Sequence, residues 1–144
     1  MKSIDIIAGA RPNFIKVAPI IKSIERKKAI SSSLFDYRLI HTGQHYDKKM
    51  SGDFFNQLGI PAPDINLNVG SGSQAQQTAA IMVSYEEILI NDPTDLCLVV
   101  GDVNSTAACS IAAKKLNIPV AHVEAGIRSG DITMPEEILS LIHI

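Results

Sequence analysis

The stretch "DLCLVVGDVNSTAACSIAAKKLNIPVAHVEA", residues 95–125, decides the fold. Its first part, Asp95 to Val100, is an apolar run with turn residues on both sides. A strand buried on both faces reads this way, because no polar alternation is needed when neither side meets water. Gly101 and Asp102 break the run, and Asn104 or Ser105 offers a helix cap. An Ala-rich helical pattern follows from Asn104 to Leu116, and "PVAHVEA", Pro119 to Ala125, reads as a second strand. Strand, helix and strand in so short a span form a crossover unit, the building block of parallel sheets.

The same alternation runs outward towards the amino terminus. "SIDIIA", Ser3 to Ala8, and "DYRLIH", Asp36 to His41, read as strands. "DINLNV", Asp64 to Val69, alternates in polarity and reads as an edge strand or a loop. Between them, Pro12 suits a first helical position, and Phe14, Ile15, Ala18, Ile21 and Ile24 trace an apolar face with a kink expected at Pro19. A second helix is expected from Asp47 to Leu58, ending at Gly59. The longest is expected from Ser73 to Ile90, with Thr78, Ile81, Met82, Tyr85, Ile88 and Leu89 along one side. The fold class is therefore α/β: a parallel sheet with helices on both faces.

The totals agree with one globular domain. The chain has 144 residues, 46% of them apolar and 19% charged. A net charge of -2 gives no electrostatic case for nucleic acid. Cys97 and Cys109 lack a CxxC spacing, so they read as small core residues in a reducing compartment. The first apolar run ends at Gly9, which is no secretory leader, and no apolar stretch approaches the ~20 residues of a membrane span. The expected location is the cytoplasm, without a membrane partner.

In parallel sheets ligands bind beyond the carboxyl ends of the strands. Four polar, Gly-bearing stretches fall there: "GARPNF", "HTGQHYD", "GDVNST" and "EAGIRSGD". At "GARPNF" the helix start favours an anion, and Arg11 and Lys16 add positive charge, although a plain turn with surface charges has the same composition. The pattern is neither GxGxxG nor GxxxxGK[ST], so it points to neither a dinucleotide nor ATP. Gln44 and His45 stand at a strand exit, where His45 reads equally as a turn residue. "VGSGSQAQQT" reads as a linker and cap, with Ser71 and Ser73 equally suited as caps. Asp102 and Glu124 each follow an interior strand, and paired carboxylates at neighbouring strand ends can split their pKa values into base and acid. His122 shares a strand face with Glu124 and, like Arg11 and Arg128, is a candidate partner for it. In "MPEE", Glu136 has a simple alternative, since acids are favourable in any first helical turn.

Taken together and in order, "GARPNFIKVAPI", "TGQHYD", "GDVNSTAA", "HVEAGIRS" and "MPEE" resemble the non-hydrolysing UDP-N-acetylglucosamine 2-epimerase family, up to about Glu137. The resemblance implies a GT-B architecture of two Rossmann-like domains with a nucleotide sugar in the cleft. Residues 1–144 would be the amino-terminal domain, with the second domain absent and 138–144 a non-native tail. It implies inversion at C2 of the sugar with no cofactor and no metal, through elimination and re-addition of UDP. Carried over by motif, Asp102, Glu124 and Glu136 match the family's catalytic carboxylates, with the roles of base and acid left open. Arg11, Lys16, Gln44, His45 and Arg128 fall to substrate binding. Pro12 favours the non-hydrolysing branch, since hydrolysing relatives resemble "GTRAD", whereas Ala10 and Asn13 depart from the common "GTRPE". Asp47 and the "GSGSQ" loop depart from the surroundings in which some bacterial members bind an activating second UDP-sugar. The expected partners are a UDP-sugar and, for the full-length protein, a second copy in a homodimer. The alternatives are a related UDP-2-acetamido sugar, a hydrolysing epimerase, and a non-catalytic nucleotide-sugar-binding module.

Overall fold

The apolar runs of the sequence become the strands of one sheet, and every pairing in it is parallel. The computed structural model describes residues 2–9, 11–30, 35–43, 52–70, 72–101 and 104–123, with the backbone alone at 11, 35 and 52–54. In chain order the elements are β1 (Lys2–Ala8), α1 (Arg11–Ile30), β2 (Phe35–His41), α2 (Gly52–Leu58), β3 (Ile65–Asn66), α3 (Gln74–Asn91), β4 (Leu96–Val100), α4 (Asn104–Lys115) and β5 (Val120–Val123). The sheet order is β3-β2-β1-β4-β5. The chain steps outward from β1 to β3, then returns through α3 to β4 on the far side of β1. That reversal between β1 and β4 is the switch point of a doubly wound, Rossmann-like sheet.

Alternation along the strands feeds two cores. On one face Ile6, Ala8, Leu39 and Val100 pack with Phe14, Val17, Ala18 and Ile21 of α1 and Phe55 of α2. On the other, Ile7, Ile40, Cys97 and Val99 pack with Ile81, Tyr85 and Leu89 of α3 and with the small residues of α4. The buried positions of α4 are all Ser, Thr, Ala or Cys, which lets this helix lie close to its neighbours. Both cysteines are buried there, and burial pushes the Cys97 thiol up to about 12, so neither is poised as a nucleophile.

Several boundaries differ from the sequence reading, each for a local reason. α1 begins at Arg11, so Pro12 is its second residue, and the helix continues through Pro19. Ile15 is 52% exposed, and Val17 takes the core position instead. The expected strand at Asp64 to Val69 shrinks to two residues, because polar side chains take over the backbone partners. Asp64 Oδ2 accepts the Leu39 N–H at 2.8 Å, and Asn66 Oδ1 accepts the Asn68 N–H at 2.8 Å. Ser73 caps α3 through a reciprocal capping box with Gln76. Asn104 and Ser105 lie inside α4, where Asn104 Nδ2 donates to Gln74 Oε1 at 2.5 Å and Gln77 Oε1 at 3.2 Å. The expected helical residues 47–51, the cap at Ser71, and the tail 138–144 lie outside the described residues.

One charge is buried in the centre of the sheet. Asp5 of β1 is 0% exposed, and Arg38 lies beside it in register on β2. Arg38 grips it with two hydrogen bonds, Nε to Oδ1 at 2.7 Å and Nη2 to Oδ2 at 2.8 Å. The Tyr85 hydroxyl of α3 donates to Oδ2 at 2.9 Å. Burial, with the neighbouring Cys97 and Asp5, raises the Tyr85 phenol far above its usual range, so it remains a donor. Arg38 Nη1 also reaches Asp92 Oδ2 at 2.8 Å, but that carboxylate is 77% exposed and water weakens the pair.

Breaking this network at one end strands a buried charge, whereas removing both ends does not. We predict that Arg38→Met costs about 3–5 kcal/mol of stability. The double variant Asp5→Leu/Arg38→Met should recover much of that loss, and urea denaturation of the three proteins checks the order. A double variant no more stable than the single one would remove the buried-charge explanation.

Candidate active site

A parallel sheet sends every strand out on the same edge, so the exits of β1, β2, β4 and β5 stand together. A glycine begins or closely follows three of them, and each has a steric reason. At the β1 exit, a Cβ on Gly9 would stand 2.6 Å from Ser105 Oγ of α4 and 3.0 Å from Thr42 Oγ1 at the β2 exit. Glycine alone lets these three segments meet. At the β2 exit, Gly43 has φ +82 and a Cβ there would stand 2.8 Å from the Val69 nitrogen. At the β4 exit, Gly101 has φ +74, a conformation that costs other residues strain.

Side chains hold these glycines by their peptide groups. Asn13, buried in the first turn of α1, accepts the Gly9 N–H on Oδ1 at 3.2 Å. Its Nδ2 lies 3.3 Å from where a Gly101 Cβ would stand, so Asn13 spans the switch point between β1 and β4. His41 accepts the Gly43 N–H on Nδ1 at 2.7 Å while its ring lies 5.1 Å from that of Phe14. His122 of β5 lies with Nε2 2.6 Å from the Gly101 carbonyl oxygen. A carbonyl only accepts, so Nε2 carries the proton. The Gly101 N–H in turn donates to the Val123 carbonyl at 3.1 Å, and Thr106 Oγ1 of α4 donates to the Val100 carbonyl at 3.0 Å. The β4 exit is thereby fixed from β5 and from α4.

Of the residues read from the sequence as functional, two fall within the described part. Arg11 opens α1, at the switch point where helix-start N–H groups favour an anion. Lys16 is exposed on the same helix. Five residues separate them, about 140° of helical rotation, so they occupy different sides of α1. Asp102, Glu124, Glu136, Gln44, His45 and Arg128 lie outside the described residues. Their described neighbours in the chain are the anchored ones: Gly101 precedes Asp102, Val123 precedes Glu124, and Gly43 precedes Gln44. His122, read as a candidate partner for Glu124, directs Nε2 to the Gly101 carbonyl, while Glu124 lies outside the described residues. The sequence reading missed the roles of Asn13, His41, Thr42 and Ser105. A polar side chain within four residues of an exit glycine was the available signal in Asn13 and His41. Among the described residues no group of three or more His, Cys, Asp or Glu could hold a metal ion. No helix among them is long and apolar enough to cross a membrane.

The family model for UDP-N-acetylglucosamine 2-epimerase matches residues 27–141. The chain belongs to the UDP-N-acetylglucosamine 2-epimerase family. A UDP-N-acetylglucosamine 2-epimerase homolog of Methanococcus maripaludis is 53% identical over 138 residues, which are 96% of this chain and 36% of that protein. A UDP-2,3-diacetamido-2,3-dideoxy-D-glucuronate 2-epimerase of Pseudomonas aeruginosa is 44% identical over 96% of this chain and 37% of its own length. The crystal structure of Methanocaldococcus jannaschii UDP-GlcNAc 2-epimerase in complex with UDP-GlcNAc and UDP superposes with a TM-score of 0.88 at 42% identity. That match covers 97% of this chain and 37% of the other. The chain therefore spans just over a third of the length of the relatives it matches. Its sheet is the Rossmann-like half of the GT-B architecture of these epimerases.

The crowding at Gly9 is testable as a coupling. We predict that Gly9→Ala costs about 1–3 kcal/mol, because the new methyl overpacks the junction. The cost should fall in a Ser105→Ala background, which removes the atom nearest to that methyl. Equal costs in both backgrounds, measured by chemical denaturation, would show that the junction is looser than described.

Proposed function

We propose that the full-length protein interconverts UDP-N-acetylglucosamine and UDP-N-acetylmannosamine by eliminating UDP and adding it back. The observation that carries the reading is the close match to the Methanocaldococcus jannaschii enzyme, described as bound to UDP-GlcNAc and UDP. The C2 proton of such a sugar has no adjacent carbonyl to acidify it. Departure of UDP supplies the driving force. As the C1–O bond breaks with its electron pair leaving on the phosphate, positive charge grows at C1 and C2–H becomes acidic. A carboxylate takes the proton, the C2–H pair becomes the C1–C2 double bond, and UDP and 2-acetamidoglucal result. Re-addition of UDP at C1, with a proton delivered to the opposite face at C2, gives the epimer.

This chemistry needs acid-base groups on both faces of the ring and cations at the leaving diphosphate. We assign the acid-base work to Asp102, Glu124 and Glu136, and the nucleotide-sugar contacts to Arg11, Lys16, Gln44, His45 and Arg128. Support for the first two is their place in the chain, one residue beyond Gly101 and Val123, whose backbones are hydrogen bonded at 3.1 Å. Support for Arg11 is its position at the first turn of α1 beside the switch point. The proposal extends to a homodimer in the cytoplasm, and to inactivity of residues 1–144 alone, since a cleft between two domains needs both. A second reading has specific support: the 44% identity to the Pseudomonas aeruginosa diacetamido-glucuronate epimerase. In that reading the same elimination acts on a more heavily modified UDP-sugar.

Incubation of the full-length protein with UDP-N-acetylglucosamine in deuterated water should yield the C2 epimer with deuterium at C2, followed by NMR. Epimer without deuterium would rule out proton exchange at C2, and release of free N-acetylmannosamine would mark a hydrolysing enzyme. Turnover of the diacetamido uronic sugar alone would select the second reading. Asp102→Asn and Glu124→Gln should each lower kcat by about 100-fold or more, as expected for loss of a general acid or base. Near-normal turnover in either variant would remove that residue from the chemistry.

A further inference from the structure

The hydrogen bond from His122 to Gly101 does more than fill space between β4 and β5. A peptide group is planar, so the Gly101 carbonyl shares one rigid plane with the nitrogen and Cα of residue 102. Whatever fixes that oxygen fixes the direction in which the chain reaches Asp102. His122 Nε2 fixes it at 2.6 Å, a short bond for a nitrogen donor. The other end of the same residue is fixed too. The Gly101 N–H donates to the Val123 carbonyl at 3.1 Å, and Asn13 Nδ2 packs at 3.3 Å from the Cβ position. Gly101 has φ +74, so without Cβ it has wide conformational freedom of its own. A flexible residue held on each side is a flexible residue whose freedom the fold has removed.

The donor is also placed to couple two exits. His122 of β5 lies two residues before Glu124 in the chain, and the oxygen it grips lies two bonds from the nitrogen of residue 102. We propose that His122 is a positioning residue: it fixes the Gly101 carbonyl at the β4 exit against β5, at the peptide that leads into Asp102. The inference rests on reading Asp102 as an acid-base group. His122 acts through the backbone and touches no substrate in this account. A ring with a proton on Nε2 is what can donate to that carbonyl.

The test uses the full-length protein with His122→Ala and His122→Gln. Glutamine is chosen because its side-chain amide can present an N–H near the place of Nε2. The expected result for His122→Ala is a kcat lowered about 10–100-fold with KM within about twofold, the signature of displaced catalytic groups with intact binding. His122→Gln should recover at least about a third of wild-type kcat by restoring a donor to the carbonyl. Nitrogen-15 NMR of the wild-type protein should show a proton on His122 Nε2. Wild-type kcat in His122→Ala, a rise in KM alone, or glutamine no better than alanine would overturn the proposal. So would a ring with no proton on Nε2, a readout that holds even if His122→Ala fails to fold. A wild-type protein that turns over no UDP-sugar would instead sink the functional reading, while the ring's protonation still decides whether His122 holds the Gly101 carbonyl.

Discussion

Asp5 sets the terms for the rest of the sheet. A carboxylate with no exposed surface is tolerated only when its charge and lone pairs are met within the fold. Here the answer comes from three elements at once: β1 supplies the acid, β2 the forked guanidinium, and α3 the phenol. The planar fork matches both carboxylate oxygens, so the interaction has a required geometry as well as a sign. It works only if Asp5 stands opposite Arg38, and that register carries Ala8 to His41 at the far end. A one-residue slip would turn every side chain of one strand to the wrong face. The pair is thus a register lock, placed at the middle of the strands, for an edge that lies at their carboxyl ends.

From that lock outward, order is passed along the strands to the exits. At the switch point the Gly9 backbone meets the side chains of Ser105 and Thr42, and Asn13 reaches both neighbouring exits. Histidines do comparable work at the flanks, each bound to the peptide group of a glycine with positive φ. Glycine is needed for the turn, and its freedom would blur whatever follows. A side chain bonded to that peptide restores the definition that glycine gives up. Freedom at one residue and restraint by a distant one are therefore two halves of one device.

The sheet was legible because hydrophobic runs and turn residues report burial directly. β1, β2, β4 and β5 emerged within a residue or two wherever they are described. β3 was less so, since Asp64 and Asn66 bond to the backbone in ways that alternation does not reveal. The outward turn of Ile15 and burial of Val17 likewise depend on how α1 lies on the sheet, which helical spacing leaves free. Asp102 and Glu124 were read from their type and place in the chain and lie outside the described residues. The side chains that crowd the exit glycines were not legible, because Asn13, Ser105 and Thr42 matter through contacts between segments brought together only by the fold. Asp5 and Arg38 did carry a signal: an acid and a base in the middle of apolar strands demand partners. Their pairing needed the register, and register is a property of two strands together.

The division between lock and edge has a chemical consequence. On the proposed reading, proton transfer at a sugar carbon requires carboxylates held within a fraction of an ångström on opposite faces, a tolerance better met by strand ends than by free loops. Two carboxylates on adjacent strand ends are held only as well as the peptides that carry them. Hydrophobic packing alone leaves those peptides free to rotate, since it is indifferent to the direction of a carbonyl. Directional bonds are required where the chain leaves the sheet, and they are found at Gly9, Gly43 and Gly101. Burial thus explains why the sheet forms, and directed hydrogen bonds at its edge explain how it can aim.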